Sequence, residues 1–500
     1  MCGIVGGVTT TVMGVVLVIA STVVTFFVVP GIIDNLIINE VVLLDDTTQL
    51  DRFIDVPVPL NFTIRLFNIS NTEEVLAGGV PVVSEVGPYI YKIYQIREIE
   101  SLEEDTITYR IRERFEFDPI SSYPNTEDDI VTIVNVPYHA ILQVAESTLP
   151  GLMGVLNSAL GGVFGSNNSP FLVVRIRELL FDGIPLCANP GFIGAIACAQ
   201  IREIGASSKN LAVQDNGTIV FSLLSYKEEV SEVYKAYRGI NNSDDLGLII
   251  SLNGSAYFNY WVNDEEVPSV CNMVNGTDSG IFNPFINRDK ALYAVNTDIC
   301  RSVELRYQYD TEYEGIPALR FAANEWLLNN EDGCFCLNAT TGITKEDGCL
   351  LDGATELYSC VGAPLVMSYP HFLFADSVYS SGVIGLNPEV EEHRVFLDLE
   401  PNTGTIVRGA KRAQFNIFLR PVRSVTATNN LNTTLTPIVW FEEGIQLPEE
   451  FVDELRNRML MPLNLVSILL PIVIALCCVV FIVGAVIVVR VKLCNRPISK

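Results

Sequence analysis

Histidine is scarce in this chain, and the short motifs of common enzyme classes are absent. Only His139, His371 and His393 occur in 500 residues, and none belongs to a zinc-binding HExxH pattern. The nucleophile elbow GxSxG, the Walker A loop and the dinucleotide-binding loop GxGxxG are absent as well. The sequence therefore predicts a protein that is not an enzyme and that needs no cofactor.

Basic residues are also few, with 32 Lys and Arg against 59 Asp and Glu. Residues 34–458 contain all 59 acidic residues but 28 of the 32 basic ones, which gives this stretch a formal charge of −31. Such a surface repels polyanions over about a Debye length, ~8 Å at physiological salt. We therefore expect no nucleic-acid partner.

Two long uncharged apolar runs lie at the ends of the chain, from Ile4 to Ile33 and from Met459 to Val489. A helix needs about 20 apolar residues to cross a bilayer, so both runs are long enough. They predict an N-terminal tail (1–3), a first span (4–33), an ectodomain (34–458), a second span (459–489) and a C-terminal tail (490–500). The first run lacks a basic n-region and a small-x-small cleavage site, which favours an uncleaved signal-anchor over a signal peptide.

Arg490, Lys492, Arg496 and Lys500 follow the second run without an acidic residue, which predicts that both tails are cytoplasmic. Arg456 and Arg458, just before that run, weakly favour the opposite orientation. Nine glycosylation sequons all fall in the predicted ectodomain, and we expect only some to be used. They are Asn61, Asn68, Asn167, Asn216, Asn241, Asn253, Asn275, Asn338 and Asn432. The membrane is either the plasma membrane or that of endosomes and lysosomes.

The twelve cysteines divide by compartment. Cys2 and Cys494 flank the spans on the predicted cytoplasmic side and are candidates either for palmitoylation or for unmodified thiols. Cys477 and Cys478 fall within the second span as small packing residues. Eight cysteines remain in the ectodomain, and an even number in an oxidising compartment predicts disulfides. Zinc is disfavoured at Cys334 and Cys336, because there is no CxxC pair and no histidine at ligand spacing.

Period-2 alternation predicts strands at residues 107–117 and 413–419, and more weakly at 62–67. An apolar stripe at helical spacing predicts an amphipathic helix, ended by Gly161 and Gly162 together with the polar segment from Ser166 to Pro170. Its members are Leu149, Leu152, Met153, Leu156 and Leu160. Without internal repeats or a low-complexity linker, the ectodomain is predicted to be one large domain of mixed helices and strands.

The histidines have structural explanations. His371 lies in an aromatic segment typical of a packed or hydrogen-bonded core histidine, and His393 follows two glutamates, which favours a loop or strand-edge ion pair. The pair Asp244 and Asp245 lacks the surrounding ligands of a calcium loop, so no metal site is expected.

Eight segments, in order along the chain, resemble the class B scavenger receptor family, which includes the fatty-acid translocase, the lysosomal integral membrane protein and insect sensory-neuron membrane proteins. They are NTEEVLAGGVPVVSEVGPYIYK (71–92), RIRELLFDG (175–183), CNMVNGTDSGIFNPF (271–285), ICRSVEL (299–305), EGIPALRFA (314–322), GAPLVMSYPHFLFAD (362–376), GLNPEVEEHRVFLDLEPNTG (385–404) and PIVWFEEG (437–444). Each segment alone is a weak signal, but the ordered set between two terminal spans is specific.

The resemblance implies a β-rich α+β fold: a large, twisted antiparallel β-barrel with an apical helical bundle and an apolar tunnel for lipids, flanked by two transmembrane helices. It also implies the disulfides Cys271–Cys334, Cys300–Cys360 and Cys336–Cys349. Cys187 and Cys198 have no counterpart in the vertebrate pattern, and their spacing suits a fourth, local disulfide.

By the same resemblance, the stripe from Leu149 to Leu160 falls where the family places an apical helix that docks ligands or partners. We expect most of its apolar face to pack the bundle instead. No Lys or Arg lies between Ala140 and Val174, so the basic patch used for oxidised lipoproteins is missing. The C-terminal tail also lacks the acidic di-leucine signal of the lysosomal member.

The leading expectation is a receptor that binds fatty acids, sterols, phospholipids or lipoprotein-borne lipid and conducts them through the tunnel to the membrane. The alternative is a sorting or adhesion receptor that binds a soluble protein through its apical helices. The sequence does not indicate an oligomeric state.

Overall fold

The computed structural model describes residues 2–262, 269–330 and 333–494, which form two compact units. The first unit contains the terminal helices α1 (Cys2–Val23), α2 (Val29–Val41), α12 (Glu449–Leu455) and α13 (Met461–Cys494). Short π-helical turns join α1 to α2 and α12 to α13. The stretches Ile4–Val41 and Glu449–Leu493 are long and apolar enough to cross a membrane. The helical stretch thus continues past residue 33, and where the membrane begins stays a prediction.

Small residues bring α1 and α13 into backbone contact. A Cβ atom added at Gly14 would lie 2.5 Å from the Cα of Phe481, and one at Gly484 would lie 2.5 Å from the backbone N of Thr11. The hydroxyl of Thr11 donates to the carbonyl of Gly7, 2.8 Å away, so it needs no partner from lipid. Close packing through small residues is how helices associate in a bilayer, where apolar burial between them gives no advantage over contact with lipid.

The second unit, residues 43–311 and 317–446, contains the strands and the remaining helices. The strands are β1 (Leu60–Ile69), β2 (Val83–Leu102), β3 (Thr106–Phe117), β4 (Ile130–Val134), β5 (Phe171–Arg175), β6 (Ile184–Leu186), β7 (Leu211–Val213), β8 (Ile219–Phe221), β9 (Tyr234–Tyr237), β10 (Ile249–Leu252), β11 (Leu292–Asn296), β12 (Arg301–Tyr313), β13 (Ile316–Ala323), β14 (Ala354–Glu356), β15 (Leu365–Ser368), β16 (Val395–Leu399), β17 (Ile406–Leu419) and β18 (Thr434–Gln446). The helices are α3 (Thr48–Ile54), α4 (Thr72–Leu76), α5 (Pro119–Ser122), α6 (Val136–Thr148), α7 (Met153–Phe164), α8 (Gly191–Ile204), α9 (Tyr358–Val361), α10 (Ser377–Ser381) and α11 (Val390–His393).

One long antiparallel sheet dominates this unit. Its strand order is β10-β9-β3-β2-β1-β18-β17-β16-β13-β12-β11, and β15 pairs with both β14 and β17. The first and last long strands of the unit are neighbours, with Asn61 opposite Gly444 and Leu66 opposite Val439. The strands predicted from alternation are confirmed within β1, β3 and β17.

The two edges of the sheet nearly meet, which gives the predicted barrel-like fold. The segment at Gly276 and Thr277 lies between them. On the β10 side, the N–H of Ile249 donates to the carbonyl of Gly276 (2.8 Å). On the β11 side, the N–H of Thr277 donates to the carbonyl of Tyr293 (3.1 Å). Gly276 has φ +100°, and a Cβ there would lie 2.0 Å from the Tyr293 oxygen, so only glycine fits at this closure.

The hydrophobic core is built mainly on β1 and its neighbours. Ile64, Leu66 and Phe67 of β1 are fully buried and pack with residues of β2, β18, α6 and α7. Burying one such side chain stabilises a protein by about 1.5–3 kcal/mol. A second core, around Trp261 and Phe321, packs β11, β12, β13 and β16.

Four disulfides brace this unit: Cys187–Cys198, Cys271–Cys334, Cys300–Cys360 and Cys336–Cys349. They are the pairs expected from the sequence. The loops that they close span 11, 63, 60 and 13 residues. In the chain-entropy model, loops of these lengths contribute about 3–4 kcal/mol each. Cys187–Cys198 fixes α8 to the end of β6, and both of its cysteines are buried.

The helix predicted from the stripe Leu149–Leu160 is wrong at its start. Leu149 (φ −132°, ψ 49°) terminates α6, because a residue before proline is disfavoured in the α conformation, and Pro150 follows it. Residues Pro150–Leu152 form a 3₁₀ turn, so α7 begins only at Met153. At its other end, α7 continues through Gly161 and Gly162 to Phe164 and ends before the polar segment from Ser166 to Pro170, within the predicted stop region.

A backbone contact between helices explains why α7 continues through its glycines. A Cβ on Gly162 would lie 2.2 Å from the carbonyl oxygen of Pro190 and 3.2 Å from the Cα of Gly194. A Cβ on Gly194 would in turn lie 3.1 Å from the Cα of Gly162. The glycines therefore let α7 and the start of α8 touch, and this contact offsets their low helix propensity.

The adjacent glycines of α7 give a matched pair of variants. Gly161→Ala meets only the Asn168 side chain, at 3.9 Å, so it should stabilise the protein by about 0.5–1 kcal/mol through helix propensity. Gly162→Ala must separate α7 from α8 and should destabilise it by about 1–3 kcal/mol. Thermal unfolding of the detergent-solubilised protein should rank the midpoints G161A above wild type above G162A, and equal shifts for the two variants would contradict the contact.

Candidate functional site

Helices α6, α7 and α8 enclose an apolar cleft of about 130 Å³. Its lining is mostly aliphatic, with three polar side chains at one end. The lining residues are Val136, Pro137, Ala140, Ile141, Val144, Ala145, Leu149, Leu152, Met153, Val155, Leu156, Ile196, Ala197, Gln200, Ile201, Ile204, Gly205, Ser208, Asn210, Leu211, Phe221, Gly362, Ala363 and Leu365. An apolar cavity of about 150 Å³ holds a benzene-sized molecule, so this cleft has room for a segment of an apolar chain rather than a whole lipid.

Exposed apolar side chains continue the cleft onto the surface. We call this set the apolar rim: Leu152, Val155, Phe192, Ile193 and Ile196. Phe192 is 84% exposed. Leu152, Val155 and Ile196 both line the cleft and face solvent, so the rim and the cleft form one apolar surface. Contiguous exposed apolar surface of this kind marks binding sites for lipids or proteins.

Buried polar contacts hold α6 against the sheet. The Gln143 side-chain amide donates to the carbonyl of Phe418 on β17 (2.9 Å), and Glu146 pairs with Arg420 (2.7 Å). At the start of the helix, the Asn135 side chain accepts from the N–H of Tyr138 and caps the first turn. His139 contacts the carbonyl of Pro170 through Nε2 (3.1 Å), and burial lowers its pKa to about 4. With α8 fixed by its disulfide, the cleft is preorganised.

The structure divides the residues predicted for the apical helix. Met153, Leu156 and Leu160 lie on α7, whereas Leu149 and Leu152 lie in the connection before it. Met153 and Leu160 are buried in the core, Leu149 and Leu156 line the cleft, and Leu152 is on the rim. The contributions of α6 and α8 were missed. The signal for α8 was its apolar sequence, GFIGAIACA, from which the sequence prediction used only the spacing of the cysteines.

Phenylalanine rings from adjacent strands cluster on one face of the large sheet. The ring of Phe62 lies 5.5 Å from Phe115 and 5.3 Å from Phe441, and Phe441 lies 5.6 Å from Phe415. Phe62 is buried, but the other three rings are only half-buried although they pack against the core. The rings of Phe115, Phe415 and Phe441 therefore remain partly accessible.

The strands that carry these rings also carry charged side chains: Lys411 on β17, Glu443 on β18 and Glu113 on β3. Lys411 pairs with Glu443 (2.6 Å), and Lys227 pairs with Asp298 (2.8 Å). Burial raises the pKa of Glu113; Glu443 and Asp298 add to this shift, while Lys227 and Lys411 oppose it. Lys411 and Asp298 each retain 37% side-chain exposure, so this charged cluster is partly accessible.

His371 and His393 form a stacked pair, with ring centroids 4.6 Å apart. Nδ1 of His371 accepts from the N–H of Asn387 (3.1 Å), and Nδ1 of His393 accepts from the N–H of Glu389 (2.9 Å). In this arrangement both rings carry a proton on Nε2. His371 is the hydrogen-bonded core residue that the sequence predicted. The ion pair predicted for His393 is wrong, because its ring is buried against His371 and Trp440.

Glu85 accepts hydrogen bonds at Oε2 from Nε2 of His371 (2.7 Å) and from Nε1 of Trp440 (2.8 Å). Burial alone would raise the pKa of Glu85, but these two hydrogen bonds outweigh it and lower the pKa. Burial and the neighbouring His371 lower the pKa of His393 to about 4. These contacts indicate that His371 and His393 hold the loop at Asn387 and Glu389 in place, rather than act in acid–base catalysis.

Other predicted sites stay predictions. Most sequons are exposed, whereas Asn68, Asn167 and Asn275 are half-buried. The side chains of Cys2 and Cys494 lie outside those that the structure describes. Asp245 accepts from the Asn242 amide (2.9 Å) in a 3₁₀ turn, and the described residues contain no group of three metal-ligating side chains.

Comparison with known proteins gives the family. A model of the CD36 family matches residues 12–488. Sensory neuron membrane protein 2 of Drosophila melanogaster is 33% identical over 498 residues, covering 88% of this chain and 89% of its own length. The protein of that name from Heliothis virescens is 36% identical over 440 residues, covering 85% and 82%. Sensory neuron membrane protein 1 of Apis mellifera is 33% identical over 439 residues, covering 86% and 81%.

A disulfide-braced antiparallel barrel between two terminal apolar helices defines a membrane receptor with two spans. The chain belongs to the CD36 family, the class B scavenger receptors, which confirms the resemblance seen in the sequence.

The histidine pair predicts acid sensitivity. The unfolded chain has a histidine pKa near 6.5, and the folded pKa of His393 is about 4. Because the unfolded state binds more protons between these values, the free energy of unfolding should fall by on the order of 3 kcal/mol as the pH drops through this window.

His393→Asn tests this assignment, since its Oδ1 can still accept from Glu389 but does not titrate. Thermal midpoints between pH 7.5 and pH 4 should decline less steeply for the variant than for wild type. All other titrating groups are shared by the two proteins, so parallel curves would show that His393 does not contribute.

Proposed function

We propose that this protein is a membrane-anchored receptor that binds lipids in the cleft between α6, α7 and α8 and conducts them through the barrel interior to the membrane. The observation that carries the proposal is the continuity of the aliphatic cleft with the apolar rim. An acyl chain or sterol could place one segment in the cleft while the remainder lies along the rim.

The free energy for capture comes from apolar burial, about 0.8 kcal/mol for each CH₂ group removed from water. Long acyl chains and sterols are therefore favoured over small polar solutes. No Lys or Arg lies between Ala140 and Val174, so this stretch has no positive side chain that would attract anionic particles to the cleft. Fatty acids, sterols and phospholipids form the ligand class.

Passage through the barrel is supported by the half-buried rings of Phe115, Phe415 and Phe441. Internal space beside an aromatic cluster suits a sliding apolar chain, because contacts are exchanged along the path without a large barrier. The relatives are named for the membranes of sensory neurons, so we propose that this chain acts in such a membrane, with the ectodomain outside and both tails cytoplasmic.

Ala197→Trp tests the cleft. Ala197 lines it, so an indole there should fill the space and reduce transfer of a fluorescent sterol or fatty acid between vesicles by tenfold or more. Ala199→Trp is the matched control, because Ala199 is exposed on the same helix outside the lining. With folding verified by the thermal midpoint, equal transfer by both variants would refute the assignment of the cleft.

A second candidate function, docking of a soluble protein on the helices, is favoured by Phe192 and Ile193. These two side chains are exposed on the rim but do not line the cleft.

The double substitution Phe192→Asp and Ile193→Asp separates the two functions. If docking is the main role, the variant should lose binding of the partner while lipid transfer by the purified protein stays within about twofold of wild type, since the cleft lining is intact. Loss of lipid transfer in this variant would instead assign these residues to lipid capture.

A further inference from the structure

Arg301 is a buried arginine whose charge has no partner among the residues that the structure describes. It begins β12, faces the second core and is 6% exposed. Its Nε and Nη1 atoms are buried and have no hydrogen-bond partner anywhere in the described ranges. The guanidinium instead stacks on the ring of Phe335, with Cζ 3.4 Å from the ring centroid.

The other most deeply buried arginines of the same unit are neutralised. Arg97 pairs with Asp278 (2.7 Å), and Arg320 pairs with Asp398 (2.6 Å). Arg238 pairs with Asp45 and donates to two backbone carbonyls. An unpaired buried ion costs several kcal/mol, which is why buried charges are paired. Unlike these three arginines, Arg301 has no acidic partner among the described residues.

Arg301 also stays charged at neutral pH. Burial lowers its pKa to about 9, and the nearby Tyr369 opposes this shift only in part. The cation–π contact with Phe335 stabilises the guanidinium but does not replace a counter-charge. The charge therefore calls for an acceptor that the described side chains do not supply.

Three disulfides make the surroundings of Arg301 rigid. Phe335 stands between Cys334 and Cys336, each of which is in a disulfide, and Arg301 directly follows Cys300, which is bonded to Cys360. Trp261 packs edge-on against Phe335 (4.9 Å) and donates from Nε1 to the carbonyl of Cys300 (2.6 Å). The stack is thus fixed from both sides, as in a preorganised binding site.

We propose that Arg301 binds a small monovalent anion, of the size of chloride or of a carboxylate group, at its guanidinium beside the ring of Phe335. One charge matches the single guanidinium, whereas a dianion would leave a net charge buried. The burial of Arg301 excludes bulky anions. This site is separate from the cleft between α6, α7 and α8, and it does not depend on lipid passage.

The test uses the full-length protein in detergent at constant ionic strength, with sodium gluconate replaced stepwise by sodium chloride or sodium acetate. Binding to the folded state should raise the thermal midpoint in a saturable way. Arg301→Gln should abolish this dependence. Arg306→Gln is the matched control, because Arg306 lies on the same strand, is 51% exposed and pairs with Glu304 (2.8 Å), so it should respond as wild type does.

The two replacement salts distinguish the sources of the anion: a response to chloride alone assigns a halide, and a response to acetate as well assigns carboxylates to the site. If Arg301→Gln does not fold, crystals of wild type soaked in bromide decide the matter, with an anomalous peak expected beside the guanidinium. A wild-type midpoint that is the same in gluconate, chloride and acetate, or crystals without that peak, would overturn the proposal.

Discussion

The pairing of β1 with β18 is the constraint on which the rest of the second unit depends. Strands that begin 374 residues apart in the chain, at Leu60 and Thr434, meet in register from Asn61 opposite Gly444 to Leu66 opposite Val439. The core of Ile64, Leu66 and Phe67 forms along this seam. The seam also places Glu85 of β2 within hydrogen-bond distance of Trp440 of β18, which orients His371. Loop closure over this separation is entropically costly, and the core and the disulfides offset that cost.

The helical cleft depends on the same seam through buried polar contacts. α6 is attached to β17, the neighbour of β18, by Gln143 and by the pair of Glu146 and Arg420. α7 then reaches α8 through glycine, and α8 is held by Cys187–Cys198. These attachments are polar or covalent, so the aliphatic side chains between the helices remain available for a ligand. The apolar rim costs solubility in the same region, which is consistent with a surface retained for binding.

The fold could be predicted largely from the sequence, because its main signals are local or familial. Alternation at residues 107–117 identified β3, and the two apolar runs identified the terminal helices. The error at Leu149 was also local: the proline after it disfavours a helix, and the regular spacing of leucines obscured that signal.

The candidate site was less predictable, since it depends on contacts between distant segments. Gly162 looked like a helix stop because its contact with Pro190 is not visible in its own helix. His393 looked like half of an ion pair because the stacked ring of His371 comes from a separate segment. The contact of Gly162 with Gly194 has an evolutionary consequence as well. Because a side chain at either position would meet the backbone of the other, we expect the two positions to change together. A homologue that carries a side chain at either position needs a wider spacing of α7 and α8, and the dimensions of the cleft would change with it.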